Sequence, residues 1–281
     1  KSLYNNQDYQ KAIVRLSAFL TSYPASPKQN EVKFFMAESH YRLQQFDKAY
    51  PVYSELAADM SFDMGSRVVG RMAEIDFKTA RYDDAVHGYH RLERLAINKR
   101  DQYNAWAGLM ESFYLLSQYD SAASYARIIL ERGSISAGAT NKASLYLGKV
   151  ALAKGDFDTA KDEFINTLNA ARDEYGAEAK YLLGEIQHQQ KQYKPCYETL
   201  TGLITDFPEY HLWVGKAFLL LADNFAVQND LFQARGTLQS LVDKKFPLES
   251  IVNEAKKKLK ELDVREAIEK QKAMEADSLD N

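Results

Sequence analysis

A chain of 281 residues, 46% hydrophobic and 27% charged, can bury a continuous core and keep a solvated exterior, which excludes a wholly disordered polymer. Its net charge of −3, with no basic stretch longer than Lys256-Lys257-Lys258, supplies no whole-protein field for nucleic acid or an anionic membrane surface. The longest purely apolar run, Ala217 to Ala222, falls far short of the roughly 20 residues a membrane span needs, and the single cysteine, Cys196, excludes an internal disulfide while leaving the compartment open.

Lys1 to Tyr4 reads as the end of a helix running into a turn at Asn5 to Asp8. The natural protein is therefore expected to continue upstream, where any signal peptide or lipid anchor would lie. From there an aromatic or leucine residue followed three positions later by a small one recurs along the chain. The instances are Tyr9/Ala12, Phe46/Ala49, Tyr82/Ala85, Tyr119/Ala122, Phe157/Ala160, Tyr193/Cys196 and Leu231/Ala234. The small residues stand 36 to 38 positions apart, a period that predicts a solenoid of stacked supersecondary units counted as one array.

Ala177 to Phe207 shows one unit. Leu182, Leu183, Gly184 and Ile186 fall on the inner side of a first helix, and Gln190-Lys191-Gln192 makes a polar turn. Tyr193, Cys196, Leu200, Leu203 and Ile204 recur at helical spacing on a second helix, which Pro208 ends. The offsets repeat elsewhere. Thirteen before the small position stand Met36, Met72, Leu109, Leu147, Leu183 and Leu221, and small residues follow them except at Met110. Seven after it stand Phe19, Leu56, Leu92, Ile129, Leu203 and Leu241, with Thr167 the exception, where Leu168 is expected to serve by a slight rotation.

These positions resemble the tetratricopeptide repeat offset by offset over roughly Asn5 to Pro247. The resemblance implies an all-α, right-handed superhelical solenoid of antiparallel helix pairs. The predicted division is a solenoid over 1–247 with a truncated first unit and six further pairs, a C-terminal capping helix over 248–275, and a disordered tail over 276–281. The cap rests on the stripe Ile251, Ala255, Leu259 and Leu262. A narrower resemblance is carried by Tyr9-Gln10-Lys11-Ala12-Ile13 and Phe19 to Pro24, similar to the variant in Gram-negative envelope proteins such as the Tol-Pal coordinator and the outer-membrane assembly lipoprotein. Tyr175 to Leu183, Trp213 to Asp223 and Phe232 to Leu241 are similar to the closing repeats of large Bacteroidetes-type envelope proteins. This implies a periplasmic or outer-membrane-associated protein, with a cytoplasmic location as the alternative.

In this family the first helix of each pair lines the concave groove, at eleven, eight and fifteen residues before the small position. Eleven back gives Glu38, Glu74, Glu111, Lys149, Glu185 and Asp223. Eight back gives Tyr41, Phe77, Tyr114, Leu152, His188 and Ala226, and fifteen back gives Phe34, Gly70, Ala107, Leu145, Tyr181 and Leu219. The expected partner-binding residues are Phe34, Glu38, Tyr41, Glu74, Phe77, Glu111, Tyr114, Tyr181, Glu185, His188 and Asp223. Carboxylates beside aromatic rings suit a protein or peptide segment carrying Lys or Arg. A plainer reading makes Glu38 with Arg42, and Glu74 with Lys78, ordinary surface pairs along one helix.

His87 and His90 lack a third ligand, so no metal is expected, and Cys196 in a small-residue position reads as a core residue. No phosphate loop, Gly-x-Ser-x-Gly elbow or His-Glu-x-x-His occurs, and no catalytic residue or cofactor is assigned. The expectation is a non-enzymatic scaffold that binds a partner segment in its groove, with no nucleic-acid partner, no membrane span in this stretch and its oligomeric state open. Two alternatives stand beside it: a cytosolic co-chaperone-like adaptor for a partner's C-terminus, which needs groove Lys, Asn and Arg, or an accessory arm of a larger multidomain protein.

Overall fold

A computed structural model describes residues 2–59, 64–132 and 136–279, the side chains of 269 and 272–279 excepted. The described residues are helical throughout, with no strand among them. They divide into two compact units, Lys1–Lys154 and Gly155–Asn281. The first holds α1 (Ser2–Asn5), α2 (Tyr9–Ser22), α3 (Gln29–Arg42), α4 (Phe46–Ala58), α5 (Gly65–Lys78), α6 (Tyr82–Leu95), α7 (Lys99–Leu115), α8 (Tyr119–Arg132) and α9 (Ala137–Ala153). The second holds α10 (Phe157–Ala170), α11 (Glu174–Gln189), α12 (Tyr193–Asp206), α13 (His211–Val227), α14 (Leu231–Asp243) and α15 (Glu249–Leu279).

Within each unit every helix packs against its sequence neighbours, and first helices of successive pairs also meet, α5 with α7 and α11 with α13. The repeating small residues make this possible. Ala49, Ala85, Ala122 and Cys196 are all fully buried, where a larger side chain would hold the paired helices apart. Large residues fill the remaining space: Phe34, Tyr53, Leu56 and Ile75 in the first unit, and Leu200, Leu203 and Phe207 around Trp213 in the second. Each such side chain removed from water contributes about 1.5–3 kcal/mol. Thr167 is fully buried with its hydroxyl donating to the Glu163 carbonyl at 2.9 Å, and Leu168 packs against the core of the second unit.

Turns inside the pairs of each unit close through two backbone bonds. At the end of α3, the Gln45 amide bonds the His40 carbonyl and the Gln44 amide bonds the Tyr41 carbonyl, each at 2.9 Å. The residue between is left-handed, Gln44 at φ 57°. This Schellman closure recurs with Ala80, Ser117, Lys191 and Asn229 at φ 58°, 59°, 59° and 63°. Gly155 occupies the same offset, five residues before the small position, at φ 78°. In the second unit α15 lays Ile251, Ala255 and Leu262 against Leu219, Leu238 and Leu241. The helix runs on to Leu279, past the boundary at 275 and into the expected tail, whose residues 280 and 281 lie outside those described.

Candidate functional site

Fifteen residues before the small position, most units carry a bulky side chain, such as the fully buried Phe34 and Leu145. Helices α5 and α7 instead carry Gly70 and Ala107 there. Between these helices the first unit opens a groove of about 810 Å³. Gly70, Leu92, Tyr89, Ala107 and Gly108 line its apolar part. Tyr89 lies flat against Gly108, where a Cβ atom would come within 2.3 Å of the ring, so only glycine lets the ring settle there. Helix α7 is started at the groove by Asn98, whose side-chain oxygen accepts the Asp101 amide at 2.9 Å.

The polar lining is dominated by cations. Arg42, Arg67, Arg71, Lys78, Arg100 and Lys142 face it, against the carboxylates of Glu74, Asp101 and Glu111. Those carboxylates already have partners. Glu74 is held by Arg71 at 2.8 Å and Lys78 at 3.1 Å, Asp101 accepts from Ser66 and Asn98 at 3.0 Å each, and Lys142 binds Glu111. Burial raises the Glu74 carboxyl, but the Tyr41 hydroxyl, Arg71 and Lys78 more than reverse this and hold it below its ordinary value. Arg100 makes no ion pair among the described residues.

Glu38 stands behind this lining and not in it. It is fully buried, and its oxygens accept from Tyr53 at 2.6 Å, Arg71 at 2.8 Å, Arg67 at 2.9 Å and Tyr4 at 3.1 Å. Burial raises its pKa, yet the hydrogen bond and charge of Arg71, then Tyr53 and Arg67, bring it below the ordinary carboxylate range. The same arginines lie over rings, Arg67 4.9 Å from the Phe34 centroid and Arg71 4.4 Å from that of Tyr41, which fixes their guanidinium planes. Phe34 and Tyr41 are buried, so these two and Glu38 are internal supports and offer little surface to a partner.

Of the other expected residues, Glu74, Phe77 and Glu111 do line the groove. Tyr114 packs edge-on to Tyr146 at 5.4 Å, under Lys149. In the second unit Tyr181 lies 5.6 Å from Trp213, with Lys216 over both rings, and its hydroxyl donates to Glu185 at 3.4 Å. His188 meets Asn224 at 3.2 Å, and Lys258 of α15 holds Asp223 at 2.8 Å. The carboxylate row is thus largely a set of rungs gripped from the next first helix: Glu38 by Arg67 and Arg71, Glu111 by Lys142, Asp223 by Lys258. An acidic groove open to a basic segment is not what the first unit presents. Sequence reasoning missed the cations because they serve the preceding unit. The signal that could have found them is that Arg67 and Lys142 both stand eighteen residues before their small position, seven before their own unit's carboxylate or lysine.

Helix pairs of this period, closure and small-residue packing define a tetratricopeptide-type fold, and comparison with known proteins agrees. The family described as Tetratricopeptide repeat matches residues 112–168 and 145–194. No curated protein matches the chain. Among solved structures, a tetratricopeptide repeat protein from Parabacteroides merdae is similar at 14% identity and a TM-score of 0.68, covering 93% of this chain and 94% of that one. The C-terminal part of a repeat-containing protein from Cytophaga hutchinsonii is similar at 14% identity and a TM-score of 0.62, covering 89% and 96%. The type IV pilus biogenesis factor PilW is similar at 14% identity, with a TM-score of 0.59 and coverage of 81% and 99%. At these identities the likeness is one of fold.

Proposed function

We propose that the chain is a non-enzymatic interaction scaffold whose first unit takes a carboxylate-bearing segment of a partner protein in the groove between α5 and α7. The observation that carries this is the lining: six cationic side chains against three carboxylates, with Arg100 outside the ion pairs among the described residues, in a chain of net charge −3. Arginine forks and lysine ammonium groups form their strongest hydrogen bonds with carboxylates, and two of these arginines are already oriented by rings and by Glu38. The partner is therefore an acidic segment, where the sequence alone suggested a basic one.

The test is fluorescence anisotropy of the full chain with labelled acidic, neutral and basic peptides at rising salt. Acidic peptides are expected to bind best and to weaken as salt screens the groove. Reversing Arg100→Glu together with Lys142→Glu should weaken them by about tenfold or more, which is about 1.4 kcal/mol, with helical content unchanged. Preference for the basic peptide, or indifference to the double reversal, overturns the reading.

The same lining supports a second form of it, in which the anionic group is a partner's C-terminal carboxylate, since Asn98 and Asn104 join the arginines and lysines there. Free-acid and amidated versions of one acidic peptide separate the two forms. A setting in the bacterial envelope belongs to the main reading. What supports it is the resemblance of Tyr9 to Pro24 to envelope repeat proteins and the fold shared with a pilus biogenesis factor. Recovery of the chain in the cytosolic fraction of its native host would remove that setting.

A further inference from the structure

Resting on that reading, we propose that the groove recognises a large apolar side chain within the acidic segment, seated over Gly70 and Ala107, and that these two small residues set the preference. Where the fifteen-back position holds Phe34 or Leu145, the side chain turns inward and is wholly buried, so the unit fills its own hollow. Two successive first helices leave the position small, and the space they vacate is continuous in the groove. A Cβ atom built on Gly70 would meet only the Leu92 methyl groups, at 3.4 Å and 3.7 Å, an ordinary contact. The backbone there does not require glycine, since Gly70 lies in α5 and is not among the residues of positive φ. Its smallness therefore has its effect in the space it leaves.

That space is floored by Leu92, Tyr89 and Ala107 and flanked by Phe77 and Tyr103, all lining one groove. Water over such a floor gains little from it and is released when an apolar group covers it. The cations stand around the hollow: Arg67 and Arg71 on either side of Gly70 along α5, Arg100 at the start of α7 and Lys142 on α9. An occupant matching both patterns carries Phe, Leu or Met with Asp or Glu on each side. A purely acidic segment would pair with Arg100 and leave the floor uncovered, and a purely apolar one would cover the floor and leave Arg100 without an ion pair.

The experiment compares three short peptides on the full chain: one with Asp and Glu around a central Phe, the same peptide with Ala for Phe, and one with Phe among Ser and Gln. The unaltered chain is expected to bind the first about tenfold or more tightly than the second, the gain from burying one aromatic ring. Gly70→Leu, with Gly70→Met as a second variant, should erase that difference while the Ala peptide keeps its affinity and salt dependence. Equal binding of the two acidic peptides by the unaltered chain overturns the inference and leaves the acidic-segment reading standing. A preference that survives in both variants moves the aromatic site away from Gly70 and also overturns it. Binding of the Ser/Gln peptide alone sinks the acidic reading itself, and this inference with it.

Discussion

Glu38 gives the sharpest quantitative test of the structure. Replacing it with Gln keeps the shape but removes the charge, and it points an amide NH2 at a set of donors, Tyr53, Arg67, Arg71 and Tyr4. Breaking a buried ion pair from one side costs about 3–5 kcal/mol. The figure is reduced here because Arg71 keeps Glu74 at 2.8 Å and the Arg67 side chain is 48% exposed, so water takes up much of its loss. About 2–3 kcal/mol is the expected cost. The pH dependence carries a sign. Arg71, Tyr53 and Arg67 depress the Glu38 pKa against the effect of burial, so its contribution is complete above the unfolded value of about 4.3 and is lost as pH falls through the folded value. Urea unfolding of both proteins should therefore show the widest gap at about pH 7 and a narrowing gap toward about pH 3, because the variant is neutral throughout. A gap below about 0.5 kcal/mol at neutral pH, or one that stays constant in acid, would refute the buried ion-pair assignment.

The locked turns predict opposite outcomes at equivalent places. Ala80 sits at φ 58°, so Ala80→Gly should stabilise by about 0.5–1 kcal/mol after allowing for the freer unfolded chain, whereas Gly155→Ala, starting from φ 78°, should destabilise by about 1 kcal/mol. Urea midpoints moving in the same direction for both would contradict a shared turn geometry. Cys196 is fully buried and burial pushes its thiol up to about 12, so in the native chain near neutral pH it should resist a thiol-specific reagent and react at the rate of local opening. Labelling within seconds without denaturant would show that the pocket around it is open.

The fold was legible because its cause is periodic: small residues must recur wherever paired helices cross, and Ala49, Ala85 and Ala122 declare the period without reference to anything distant. The turns were less so. A left-handed residue normally advertises itself as glycine or asparagine, and Gly155 and Asn229 do, but Gln44, Ala80, Ser117 and Lys191 hold the same geometry because two backbone bonds enforce it. The groove was half legible. Gly70 and Ala107 stand in the fifteen-back row but were not among the expected binding residues, whereas Glu74 makes the expected pair with Lys78. The pairing that reverses the groove's charge joins residues about one period apart, such as Glu38 with Arg71, and position along a single helix cannot reveal it. Local spacing favoured Arg42 for Glu38; packing brought in two arginines from the next helix.

Hairpins within each unit close through backbone bonds that join residues only a few positions apart, as Gln45 does with His40 and Arg81 with Asp76. Loops this short cost little entropy to shut, so a pair can form before its neighbours exist. A polypeptide leaving the ribosome can therefore fold in instalments, each newly finished hairpin docking on the one already made.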